Sequence, residues 1–179
     1  PQRAPARRAR LRSAAVVVRC TKKLLTLLGR GVALTEQPPS GDDWFANLLW
    51  IDRRKCLLLV HADTLFPVFR ADVRAGDLRP FGAYVVRVVA QELRAEGLTD
   101  DVLGRLDADD VHVAKTTSRA VLGHMNEMAL HLRYQIEVEG GLDVCDTRLL
   151  NHRQRRTLHN RGGVYAEPLD LVAARLASR

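Results

Sequence analysis

The block Trp44–Phe69, WFANLLWIDRRKCLLLVHADTLFPVF, constrains the fold of this chain more than any other stretch. Two apolar runs flank a short basic turn, which is the pattern of a β-hairpin. Phe45–Asp52 and Lys55–His61 are the expected strands, with Arg53 and Arg54 at the turn. The second run is apolar almost throughout, so its place is the interior of a sheet covered on both faces. Leu65–Phe69 reads as a third strand. Pro67 cannot donate to a ladder and so places that strand at an edge.

The flanking segments alternate between strand and helix signals. Ala14–Cys20 is a short β-branched strand. Thr21 is expected to cap a helix over Lys22–Leu28, which Gly29 ends. Gln37–Asp43 is a loop with two prolines and a glycine. Asp77 is expected to cap a long helix, Leu78–Glu96, with Pro80 near its first turn. Thr99–Leu106 reads as a short helix and Val111–Ala114 as a strand. Thr117 or Ser118 caps a second long helix that reaches Val138, with Met125, Met128, Leu132 and Ile136 on one face. Short helices near Asp146–Gln154 and Leu169–Leu176 complete the chain. The pattern predicts an α+β domain over residues 14–179: a small mixed or antiparallel sheet with a central hairpin, packed by two long amphipathic helices, with a helical C-terminal third.

Charge is unevenly placed. The net charge of the 179 residues is +7. Residues 1–13 hold five Arg and no acid, and residues 148–179 hold seven Arg and two acids. Each end therefore carries +5, which leaves −3 for the body between them. The basic character belongs to the ends. The first segment, PQRAPARRARLRS, has almost nothing apolar to pack and is expected to be disordered. A transit peptide shares that composition; the favoured reading is a start assigned too far upstream, with the natural chain beginning near Val18.

Three cysteines, Cys20, Cys56 and Cys145, stand far apart. An odd count without a CxxC pair is a poor disulfide framework and suits free thiols in a reducing cytoplasm. No apolar run reaches the roughly 18 residues of a membrane span, so no membrane partner is expected. His124 and His131 lie two helical turns apart, too far to share a metal ion directly. His61 and His112 are isolated, and no HExxH or HxH occurs. Spacing alone therefore predicts no metal site, and no motif calls for a cofactor.

Five segments follow one another in a set order: CTKKLL at Cys20–Leu25, the W-x-A-N-L of Trp44–Leu48, the RRK of Arg53–Lys55, HADTLFPVF at His61–Phe69, and KTTSRAVLGHMNEM at Lys115–Met128. Together they resemble an uncharacterised bacterial domain family of unknown function, over roughly residues 18–138. The resemblance implies a shared domain and assigns no site residue.

The residues themselves offer two kinds of site. Lys115, Thr117, Ser118 and Arg119 stand where a strand hands over to a helix N-terminus, a setting suited to phosphate or carboxylate as well as to ordinary capping. Asn126 falls two turns along the same helix, and Asn47 is a polar residue inside an apolar strand, suited to bracing a loop or lining a pocket. The second kind is a basic surface: Arg53, Arg54 and Lys55 at the hairpin turn, and Arg153, Arg155 and Arg156 within HRQRRTLHNR, read as a basic helix or arm. Two functions follow. The preferred one is a non-catalytic binding or regulatory module that contacts nucleic acid or an acidic protein partner. The alternative is a small enzyme acting on a phosphorylated substrate at Lys115–Arg119.

Overall fold

The computed structural model of this chain describes residues 16–116 and 118–178. The expectations for residues 1–13 and for Thr117 lie outside the described residues.

The hairpin forms as its pattern requires. Strand β2 (Trp44–Ile51) and strand β3 (Arg54–His61) pair antiparallel along their whole length, with Ile51 opposite Arg54. The turn is therefore two residues, Asp52 and Arg53, both at positive φ, 47° and 61°. Such a turn matches the right-handed twist of the strands it joins, and Asp tolerates it better than Arg. Distant groups hold it in place. Asp52 Oδ2 accepts the Leu142 N–H at 2.8 Å, and Arg54 pairs with Asp143 at 2.5 Å. Gly141, at φ 104°, fits closely here, since a Cβ would stand 3.1 Å from the Asp52 carboxylate.

Strand β1 (Val16–Cys20) lies beside β2, and β4 (Pro67–Arg70) lies beside β3. With β5 (Val111–Lys115) the sheet order is β4-β3-β2-β1-β5. The pairs β1·β2 and β1·β5 are parallel and the other two antiparallel, so the sheet is mixed. The Pro67 strand sits at an edge, as its missing donor demands. The other edge, β5, is met at its middle residue by an isolated bridge from Leu34, and Thr35 N–H donates to Val113 O at 2.8 Å.

Both faces of the sheet are covered. Alternation along β3 sends Leu57 and Leu59 to one apolar core and Cys56, Leu58 and Val60 to the other. The first core takes Leu24 and Leu28 of α1 (Lys22–Leu28) and Val85, Val88, Val89 and Leu93 of α2 (Phe81–Ala95). The second takes Met125, Met128, Leu132 and Ile136 of α3 (Arg119–Val138) and Leu150 of α4 (Thr147–Gln154). The result is α+β in three layers, with the hairpin in the sheet and helices in the C-terminal third.

Four local expectations are corrected. The Thr21 hydroxyl does not cap α1, because it donates instead to Asn47 Oδ1 at 3.0 Å. Asp77 does not cap α2, which begins at Phe81 after Pro80; its carboxylate accepts the Arg74 N–H and closes a preceding turn. Thr99–Leu106 is a run of turns without a helix, although Val102 and Leu103 are buried in the first core. His152–Arg161 is not one helix or arm. α4 ends at Gln154, and β6 (His159–Arg161) pairs with β7 (Val164–Ala166) in a second hairpin across Gly162 and Gly163. Helix α5 (Pro168–Ala177) follows.

Candidate metal centre

The basic surface expected from sequence is largely spent on internal pairing. Arg155 is the clearest correction, since its side chain is 1% exposed. It pairs with Glu92 and, at 2.9 Å, with Glu96; its Nε–H donates to Pro67 O at 3.3 Å, and its guanidinium lies 4.6 Å from the Phe66 ring centroid. Arg156 pairs with the same Glu96 at 2.9 Å, and Arg153 pairs with Glu139. Burial pushes the Glu96 carboxyl up, but hydrogen bonds from Arg156 and Arg155 more than offset it and leave it below the usual 4.5. At the hairpin turn Arg54 is paired with Asp143, and the Lys55 ammonium lies 5.5 Å from the Trp50 ring centroid. Arg53 is exposed.

The strand-to-helix residues do not converge. Lys115, Arg119 and Asn126 are exposed, and among the described residues no hydrogen bond or ion pair joins them. The Ser118 hydroxyl accepts the Val121 N–H at 3.3 Å and so caps α3. Asn47 is occupied by Thr21 and braces the start of α1 against the central strand.

The fold instead assembles a group of possible ligands that spacing alone did not reveal. His124 and Glu127 are three apart on α3 and share a face of that helix. His159 opens β6, and the fold carries it to that face. One ligand atom from each lies within 4.8 Å of the others. Glu127 Oε2 stands between the two rings, 3.6 Å from His159 Nδ1 and 3.9 Å from His124 Nδ1. The rings meet edge to face at 6.1 Å between centroids. A tetrahedral ion with arms of about 2.0–2.1 Å needs ligand atoms roughly 3.4 Å apart, so little movement closes the set.

Burial sharpens the chemistry. His159 is fully buried; its Nδ1 faces the Glu127 carboxylate at 3.6 Å, and its Nε2 has no hydrogen-bond partner among the described residues. Burial pushes its pKa below 6.5; Glu127 opposes that shift, while His124 and His131 reinforce it. A neutral imidazole, with a free lone pair on its unprotonated nitrogen, is the form that binds a metal. His124 also lines a cleft of about 490 Å³, bordered by Ala120, Arg161, Val164 and Leu171. The local signal in the sequence was the His124–Glu127 spacing; the third member, 32 residues beyond Glu127, gave none.

Among the described residues no helix is long and apolar enough to cross a membrane. A search of curated proteins finds no match to this chain. A family model described as a domain of unknown function (DUF6933) matches residues 17–171, reaching well past the segment whose motifs resemble such a family, and the chain belongs to that family.

Proposed function

We propose that this protein binds one divalent transition-metal ion through His124, Glu127 and His159. The observation that carries the reading is His159: a fully buried imidazole with no hydrogen bond at Nε2, its Nδ1 facing a carboxylate, beside a second imidazole. An unpartnered buried polar group is costly, and a metal ion is one way to satisfy it. Two imidazoles and one carboxylate suit zinc or a neighbouring first-row ion. Three protein ligands match the count of sites that keep a position for water or substrate, and here His124 borders an open cleft. The nucleic-acid reading draws less support, since Arg54, Arg153, Arg155 and Arg156 are held in ion pairs within the fold.

The test is calorimetric titration of the chelator-stripped full chain with zinc. One equivalent should bind, and His124→Ala and Glu127→Ala should each weaken binding by about tenfold or more. No saturable binding, or equal binding by both variants, overturns the reading. Both positions are at least partly exposed, so the variants should fold.

A further inference from the structure

Helix α2 packs on the sheet face opposite α3, and Pro80, Ala83 and Tyr84 at its N-terminal end border a separate cleft of about 600 Å³. The helix starts without a side-chain cap and without an acid in its first turn. Its first N–H groups have no intrahelical acceptors, and the helix dipole favours negative charge there. α3 differs, because Ser118 already caps it.

The side chains of Arg70, Arg79 and Arg87 line the same cleft with Tyr84, and one Arg79 amino group also donates to Leu28 O at 3.5 Å, beside a neighbouring cleft. Arg70 is fixed from behind by Glu92 at 3.1 Å and Gln91 at 2.9 Å, and its buried Nε–H has no hydrogen-bond partner. Arg87 lies over the Tyr84 ring at 5.3 Å. Tyr84 is 6% exposed, and among the described residues its phenol oxygen makes no hydrogen bond. Burial raises the Tyr84 pKa against the opposing fields of Arg70 and Arg87, which keeps the phenol a neutral donor. Two acids also border the cleft. Asp77 is occupied by the Arg74 N–H, and Asp72 lies at the exposed rim.

We propose that this cleft binds a small phosphorylated organic molecule, with its phosphate at Arg79, Arg87 and the α2 N-terminus. A single carboxylate is served by one guanidinium, whereas a phosphate offers oxygens to several donors at once. Pro80, Ala83, Val73 and the Tyr84 ring supply an apolar wall for the organic part. A cleft of about 600 Å³ lies within the range for small ligands. The site is independent of the metal group and stands or falls separately.

The test uses the full chain and inorganic pyrophosphate as the probe, followed by calorimetry at low salt. One equivalent should bind. Arg79→Gln and Arg87→Gln, both at exposed positions, should each weaken it about tenfold, a loss of about 1.4 kcal/mol. Tyr84→Phe should weaken it by a smaller factor, and Arg105→Gln, away from the cleft, should leave it unchanged. A single-stranded oligonucleotide is the second arm. Binding of the oligonucleotide without pyrophosphate overturns the proposal and makes nucleic acid the partner. No saturable binding of either, or equal binding by the two Arg variants, also overturns it.

Discussion

Asn151 takes the place of a neighbouring strand beside Phe69. Its Oδ1 accepts the Phe69 N–H at 2.7 Å and its Nδ2 donates to Phe69 O at 3.0 Å. A third bond, Nδ2 to Thr147 O at 3.0 Å, fixes the amide within α4. All three are lost in Asn151→Leu, which strands a buried N–H and C=O on β4. The expected cost is about 2–4 kcal/mol, read by urea unfolding. Asn151→Asp should cost a comparable amount, because a carboxylate cannot donate to Phe69 O. A loss under about 0.5 kcal/mol in both variants would show that water replaces the amide.

Arg155 binds two layers together, reaching from the end of α4 to Glu92 and Glu96 around α2. Arg155→Met should destabilise the protein by about 1–3 kcal/mol, since Glu92 and Glu96 each lose one buried partner and keep Arg70 and Arg156. The pH profile carries a second signature. The folded pKa of Glu96 is below its ordinary 4.5, so the pair contributes stability above that value and loses it as pH falls through the folded value. Unfolding curves between pH 3 and 6 should show this slope in the natural chain and a weaker slope in the variant.

His159 sets a pH dependence of its own. Its folded pKa lies below 6.5, so the unfolded chain binds the proton more readily. Stability should therefore fall as pH drops below about 6.5 and level off below the folded value. The charged or titratable groups facing the ring are Glu127, His124 and His131. His159→Phe should flatten this slope in denaturant titrations, and an unchanged slope would assign it to another group. Zinc affinity should fall across the same window, because protons compete for the ligands.

The cysteines should be inert in the folded protein. Cys20 and Cys56 are buried, and burial pushes both thiols up. Cys145 is half-buried, and burial with the Glu139 carboxylate beside it pushes its thiol to about 12. Thiolate is the nucleophile, so maleimide at pH 7.5 should label none of the three within minutes and all three in denaturant. Fast labelling of Cys145 in the native state would mean that the Glu139–Cys145 contact opens readily.

The hairpin and the long α3 were legible because their information is local: strict apolar runs around a two-residue turn, and a Ser118 cap before a helical apolar stripe. The start of α2 was not, because Asp77 and Pro80 both carry start signals and only packing decides between them. Arg155 looked like a surface charge because nothing in HRQRRTLHNR points to Glu92 and Glu96, some sixty residues earlier. The His124–Glu127–His159 group was hidden for a similar reason. Two members share a helix face, but the third arrives on a three-residue strand too short and polar to announce itself.

The sheet is terminated at both sides. One outer strand has its ladder occupied at Phe69 by a side-chain amide, and the other is met at Val113 by the Leu34–Thr35 segment. An incoming strand from a second molecule finds no uninterrupted row of free amides on either flank, and such rows are what seed fibrillar growth. Growth by strand addition at this sheet is therefore blocked on both flanks, and the folded form should resist ordered aggregation through it at concentrations where its unfolded chains would not.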